Sequence, residues 1–217
     1  MKKEDILKTI QKIRKDSKKR NFVQSFDLII NLKDFDLKKD KLDSFFVLPK
    51  SYKEYKVCAF LDKKLDKFDK EILVGDFEKY KDKEIKSLGR EYDYFVAHGS
   101  VMGKLAGVFG KILSGKGKMP NPKAGAIMTP ETNVDALKER FKKLKRLETK
   151  GELSIKCGVG LESMEDEEIV NNAYAVYDHI IHLLPKEKNN VDVVYLKLTM
   201  GPSFEVGVKD GEEKKDS

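Results

Sequence analysis

The sequence predicts an α/β protein of two domains: a discontinuous α+β domain assembled from residues 1–55 and 151–217, and a three-layer α/β domain inserted between them as residues 56–150. Three observations predict it. Both chain ends show strands with strict two-residue alternation beside amphipathic helices, whereas the middle shows short, continuously apolar runs separated by lysine-rich segments. The charge changes with the pattern: residues 1–55 carry a net +6, residues 56–150 a net +8 and residues 151–217 a net −7, which together give the chain's +7. Finally, 217 residues are long enough for two small domains or one large one, and 40% hydrophobic content can bury a real core.

Residues 4–19 read as an amphipathic helix, with Ile6, Leu7, Ile10 and Ile13 at three- and four-residue spacing and Lys8, Lys12 and Lys15 on the other face. Lys18-Lys19-Arg20-Asn21 ends it. Residues 25–32 follow as a strand, Phe26, Leu28 and Ile30 alternating with Ser25, Asp27 and Asn31, and Phe45-Phe46-Val47-Leu48 is a second strand stopped by Pro49. In the middle, residues 57–61, 72–74 and 94–97 have the apolar continuity of parallel strands buried on both faces, with helical segments expected between them. Residues 113–125 hold three glycines and two prolines and must be a loop. Residues 131–147 form a helix with Val134, Leu137, Phe141 and Leu144 on one stripe.

The last third returns to the first style. Leu153, Ile155 and Cys157 alternate in a strand. Ser163 caps the next helix, with Asp166 at capping-box spacing, and Ile169, Val170, Ala173, Tyr174, Tyr177, Ile180 and Ile181 line its buried face. Residues 191–199 make a final strand ending at Met200-Gly201-Pro202. The charged tail, residues 210–217, is expected to be disordered.

The basic balance fits a polyanionic partner, because lysine and arginine displace counterions from phosphate. Cys58 and Cys157 sit among apolar residues with no C-x-x-C pair, which predicts two reduced, buried thiols in a cytosolic protein. The lysine-rich start lacks an apolar signal core, and no apolar run approaches transmembrane length, so no membrane partner is expected.

Signals for catalysis are thin. Gly110-x-x-x-x-Gly115-Lys116 matches most of a phosphate-binding loop, but Gly117 stands where Ser or Thr should hold magnesium, and a helix precedes it. A plain flexible connection, or an RNA-facing loop through Lys116, Lys118 and Lys123, are the other readings of this stretch. His179 and His182 lack the further ligands zinc would need. His98 ends a strand with no evident orienting carboxylate, and Ser100 beside a lone histidine is no triad. Glu165-Asp166-Glu167-Glu168 reads as the acidic first turn of a helix. Neither a metal site nor a cofactor is expected.

Two segments offer more. In residues 18–25, Phe22 follows a basic cluster and could stack on a nucleotide while Gln24 and Ser25 donate hydrogen bonds to sugar or backbone; an ordinary turn with Phe22 in the core fits the periodicity equally. At the end of the last strand, Gly201 removes a side chain and Pro202 fixes the bend, so bare backbone beside Thr199 could meet RNA sugars; the alternative is a plain strand terminator.

These segments stand in a fixed order: Arg20-Asn-Phe-Val-Gln-Ser-Phe-Asp-Leu-Ile-Ile-Asn-Leu-Lys33, Glu91-Tyr-Asp-Tyr-Phe-Val-Ala97, Gly117-Lys-Met-Pro-Asn-Pro-Lys123 and Thr199-Met-Gly-Pro202. Together they resemble the L-one family of large-subunit ribosomal proteins, over nearly the whole chain. Ser163-Met-Glu-Asp-Glu-Glu-Ile169 is similar to the archaeal form. The resemblance implies a ribosomal protein rather than an enzyme, cytoplasmic and ribosome-associated, and a monomer when free. Its discontinuous domain would bind large-subunit ribosomal RNA, and its middle domain would be Rossmann-like. It implies a mobile side stalk that assists release of deacylated transfer RNA from the exit site. It also implies repression of translation through the protein's own messenger RNA. The family's RNA contacts fall on Phe22, Ser25, Asp27, Thr199, Met200 and Gly201, with Lys156 matching a basic or histidine position. Arg20, Gln24, Pro202, Lys116, Lys118 and Lys123 are secondary contacts.

The sequence departs from the family in places. Val193 and Leu198 stand where relatives often carry hydroxyls, and Leu113-Ser-Gly-Lys-Gly117 replaces Leu-Gly-Pro-Arg-Gly. The terminal pieces, nominally the RNA binder, sum to −1 while the middle holds +8. Segregation would reconcile this, with the lysines of residues 2–20 facing RNA and residues 165–168 pointing away. The rival reading is a nucleotide-dependent enzyme built on the middle α/β domain.

Overall fold

The computed structural model describes residues 1–207 apart from Lys19, Lys38, Lys41 and Lys150. Lys19 of the basic cluster and the 210–217 tail therefore lie outside the described residues. In chain order the elements are α1 (Lys3–Asp16), β1 (Ser25–Leu32), β2 (Asp43–Val47), β3 (Val57–Leu61), β4 (Lys70–Leu73), α2 (Asp82–Glu91), β5 (Tyr94–His98), α3 (Met102–Gly115), β6 (Ile127–Met128), α4 (Val134–Lys143), β7 (Leu144–Glu148), β8 (Ser154–Leu161), α5 (Asp166–Leu183), β9 (Val191–Leu198) and β10 (Ser203–Glu205). They gather into two compact units, one formed by Met1–Tyr52 with the chain from Lys145 onward, the other by Lys53–Leu144.

The first unit is a four-stranded antiparallel sheet, ordered β10-β9-β1-β8, packed against α1 and α5. Alternation in β1 turns Phe26, Leu28, Ile30 and Leu32 into the core, and α1 meets them with the fully buried Ile6, Ile10 and Ile13. Each such side chain contributes roughly 1.5–3 kcal/mol relative to leaving it in water. Ser25, Asp27, Ile29 and Asn31 face the other way and are half-buried. A bulge lets Val159 and Gly160 of β8 face the core together, Phe26 pairing with Gly160 but Asp27 with Gly158. A Cβ at Gly160 would lie 2.9 Å from Cγ1 of Ile169, so the missing side chain is what lets α5 settle this close.

In the second unit the sheet is parallel, ordered β4-β3-β5-β6. Phe60 on β3 is buried among Phe77, Phe95 and Phe109, with ring centroids 5.7, 5.8 and 4.9 Å away, under α2 and α3. Tyr94, one residue from Phe95 and so on the opposite face, meets Phe141 of α4 at 5.2 Å.

The structure corrects several sequence expectations. The predicted helix over residues 131–147 stops at Lys143, and Leu144–Glu148 pairs with β2 instead. Arg146 fixes this turn of events by forking onto Asp43, Nε–Oδ1 2.8 Å and Nη2–Oδ2 3.1 Å. The chain consequently rejoins the first unit at Lys145 and leaves it after Tyr52, earlier at both crossings than residues 150 and 55. Leu153 lies outside the strand and is exposed. Ser163 does not cap α5; Glu165 holds the N-cap position, with no side-chain cap bond. Asp166 is turned to Arg14, whose guanidinium also donates to the carbonyls of Glu162 and Met164 at 2.6 and 2.8 Å. Residues 113–115 are the last turn of α3, so the loop is shorter than predicted. The strands β6 and β10 were too short to read, and no helix separates β3 from β4.

Candidate nucleic-acid interface

Residues 22–25 and 199–201 meet at one end of the antiparallel sheet because β1 and β9 pair along their length, Phe26 opposite Leu198. Register alone therefore brings Ser25 and Thr199 together. Their hydroxyls lie 2.8 Å apart, Thr199 N donates to Ser25 O at 3.0 Å, and Ser25 N reaches Thr199 Oγ1 at 3.3 Å. Gln24 is only 3% exposed, and its Oε1 accepts from Met200 N at 3.2 Å. Its carboxamide holds the turn in place, which differs from the sequence reading of Gln24 as a donor to RNA.

Around this hinge of hydroxyls stand three large apolar side chains in solvent: Phe22 56%, Val23 59% and Met200 62% exposed. Phe22 is therefore not in the core. Val23 was missed, although a signal existed: two consecutive apolar residues ahead of an alternating strand cannot both face its core. Phe22 and Val23, with Arg20, Asn21, Glu162 and Ser163, line a shallow groove. Gly201 adopts no left-handed backbone, and a Cβ there would meet Leu198 only at 3.4–3.7 Å, ordinary contact. The fold itself does not demand glycine at this position. Pro202 follows, exposed, and leads into β10, so residues 199–202 form a hairpin turn rather than a chain stop.

Asp27 sits on the open face of β1 opposite Gly158 and Lys197. Burial pushes its carboxyl above the ordinary carboxylate value, partly offset by the cations of Lys197 and Lys145 and a hydrogen bond from Ser25. A Cβ at Gly158 would collide with the Tyr52 hydroxyl, so this glycine makes room for Tyr52, over which Lys145 lies at 4.4 Å. Lys156 is not gathered into the cluster. It pairs with Ile29, four residues along β1 from Ser25 or roughly 13 Å, and its ammonium is 2.6 Å from Glu152.

Of the acidic residues ahead of α5, the one that reaches the Phe22 groove is outside the 165–168 cluster. Glu162 lines the same groove as Phe22, and its N–H donates to Gln24 O at 2.8 Å. Within residues 165–168 two carboxylates are paired with cations, Asp166 with Arg14 and Glu168 with Lys50, both at 2.7 Å.

In the parallel-sheet unit the three candidate lysines separate. Lys116 donates to Lys86 O and Lys118 to Tyr92 O, each at 2.7 Å, so both serve carbonyls of α2 and its C-cap. Burial lowers the pKa of Lys118. Lys123 is exposed. His98, read as lacking a carboxylate, has one: its Nδ1 lies 3.3 Å from Asp62 Oδ2 and 3.2 Å from Ser100 Oγ, which itself bonds Asp62. One imidazole nitrogen serves both partners, so the base is not placed between nucleophile and carboxylate as a triad requires. Among the described residues no three His, Cys, Asp or Glu side chains cluster as a metal would need, and no helix is long and apolar enough to cross a membrane.

The chain is thus a mixed α/β protein in which exposed apolar side chains surround a hydroxyl-bearing turn. The sequence model of the Ribosomal protein L1p/L10e family matches residues 13–202. Curated relatives include the "Large ribosomal subunit protein uL1" of Nanoarchaeum equitans, 38% identical over 202 residues, covering 88% of this chain and 95% of that protein. Those of the same name from Methanothermococcus thermolithotrophicus and Picrophilus torridus are 35% and 32% identical, covering 95% and 93% of this chain and 99% and 96% of theirs. The chain belongs to the Ribosomal protein L1p/L10e family, a family of ribosomal proteins and not of enzymes, which removes the nucleotide-dependent enzyme as a reading.

Proposed function

We propose that the chain is a structural constituent of the large ribosomal subunit that binds ribosomal RNA, forms its mobile side stalk and assists release of deacylated transfer RNA from the exit site. It also represses translation by binding its own messenger RNA. In this reading the unit of Met1–Tyr52 and the chain from Lys145 onward is the RNA-binding α+β domain. The unit Lys53–Leu144 is an inserted, Rossmann-like three-layer α/β domain. The protein is cytoplasmic, ribosome-associated, and monomeric when free.

One observation carries the reading: Phe22, Val23 and Met200 are exposed around a turn that hydrogen bonds from Thr199 to Ser25 and from Met200 N to Gln24 hold in place. Folded RNA is recognised by shape, by stacking on aromatic faces and by hydrogen bonds to 2′-hydroxyls, and this surface offers all three. Phe22, Ser25, Asp27, Thr199, Met200 and Gly201 are its contact residues, with Arg20 and Pro202 beside them and Lys156 farther along the sheet. Relatives named as large-subunit proteins, similar over nearly their full length, support the ribosomal assignment. Crosslinking and sequencing of RNA bound in cells tests it. The expected result is one dominant site in large-subunit ribosomal RNA, with lesser sites in transfer RNA and in the protein's own transcript. Crosslinks spread evenly over cellular RNA would overturn the proposal.

A further inference from the structure

A second groove lies wholly within the parallel-sheet unit, between α2 and α3, walled by Asp82, Lys86, Arg90, Lys111, Ile112 and Lys116. Four cations against one carboxylate leave it at +3, whereas in the Phe22 groove Arg20 is set against Glu162. Spacing of four along α2 puts Asp82, Lys86 and Arg90 in one line, with Lys86 and Arg90 about 6 Å apart along the axis. Lys116 closes the groove from the other side and is fixed there. Its ammonium donates to Lys86 O at 2.7 Å, and its side chain lies over Gly89, where a Cβ would come within 2.9 Å of it. An ammonium carries three N–H donors, so two remain for a ligand.

We infer that this groove is a second RNA-binding surface, which takes the phosphate backbone of a double-helical RNA segment. Charge complementarity names a polyanion. The walls name its form. Single-stranded nucleic acid is held by stacking its bases on aromatic side chains, and the described lining residues include none; Ile112 is the one apolar member. Double-helical RNA is met mostly through its phosphates and 2′-hydroxyls, which such a surface can bind without aromatic side chains. The line through Lys111 continues along α3 as Gly107 and Gly103, where a Cβ would meet nothing within 4 Å, so no side chain there stands between the groove and a bulky partner. The inference also gives the net +8 of residues 56–150 a role that the nearly neutral Phe22 groove leaves unused. It stands independently of the function proposed for that surface.

The test is fluorescence anisotropy with the full chain and a short RNA duplex of arbitrary sequence, between about 50 and 200 mM salt. Lys86→Gln/Arg90→Gln should weaken duplex binding about tenfold at the low end and reduce the slope of log affinity against log salt by about two. Lys63→Gln/Lys70→Gln removes the same charge from exposed sites outside the groove and should change little. All substituted side chains are exposed, so thermal unfolding should match the parent protein. Unchanged duplex binding by the groove variant, an equal loss in the control pair, or competition by anionic lipid vesicles as strong as by duplex RNA would each overturn the inference.

Discussion

Ser25 and Thr199, 174 positions apart in sequence, share a hydroxyl-to-hydroxyl hydrogen bond of 2.8 Å at the rim of the antiparallel sheet. Thr199 Oγ1 also lies 3.2 Å from Ser25 O. Replacing Thr199 by valine keeps the shape and β-branching but removes that oxygen. Thr199 is exposed and Ser25 half-buried at the sheet's rim, so water replaces the lost partner, and stability should fall by only about 0.5–1 kcal/mol in urea denaturation. Affinity for a large-subunit ribosomal RNA fragment should fall further, by about 1–3 kcal/mol in filter binding. A loss of stability as large as the loss of affinity would mean that Thr199 acts only through folding.

Phe22 separates binding from folding more sharply. At 56% exposed it contributes little to the core, and Phe22→Ala should leave the unfolding midpoint within about 0.5 kcal/mol of the parent. The same substitution should cost about 1–3 kcal/mol of RNA affinity if a base or sugar packs on the ring. Met200→Asp, exposed at 62%, should behave alike, because a carboxylate would then face phosphates. Equal affinities for parent and both variants would remove this surface from the interface.

The alternation of Phe26, Leu28 and Ile30 and the spacing of Ile6, Ile10 and Ile13 made β1 and α1 legible, since each faces one core with a fixed period. Residues 144–148 were not: Leu144 and Leu147 are three apart, as a helix would have them, and only the long-range pairing with β2 through Asp43 and Arg146 decides for a strand. The bulge at Val159–Gly160 is likewise a property of two strands at once. At the candidate site, residue types at 22–25 and 199–201 were readable, but burial was not. Whether Phe22 faced core or solvent, and whether Gln24 reached RNA or Met200 N, depended on a register linking opposite ends of the chain.

Asn172, which sequence periodicity passed over, is fully buried in α5 and ties three parts of the first unit together. Its Nδ2 donates to Val159 O and Lys50 O at 2.8 and 3.0 Å, and its Oδ1 accepts from Lys50 N at 3.0 Å. Asn172→Ala would strand these backbone groups without partners in the interior. Unfolding free energy should drop by about 2–4 kcal/mol, measured in urea. RNA affinity of the fraction that remains folded should be close to that of the parent. A drop below 1 kcal/mol would show that water fills the gap.

Glu71 holds the connection between β3 and β4, which runs through residues 62–69 without a helix, short for a link between parallel strands. Its carboxylate accepts backbone N–H groups from Leu65, Asp66, Lys67 and Phe68 at 2.8–3.2 Å, doing what a crossover helix would otherwise do. Burial alone would raise its pKa, but the four donors together outweigh that and hold the carboxyl below its ordinary value. A depressed folded-state pKa means that the contribution is present in full above the unfolded pKa of about 4.3 and is lost as pH falls through the folded value. Glu71→Gln keeps the length but replaces a charged acceptor by a neutral one, and should cost about 1 kcal/mol near neutrality. Below the folded pKa the parent protein's carboxyl is itself neutral, so the gap between the two proteins should shrink on acidification. Thermal unfolding from pH 7 down to pH 3 reads this directly; two curves that stay parallel throughout would show that the charge on Glu71 contributes nothing to holding the loop.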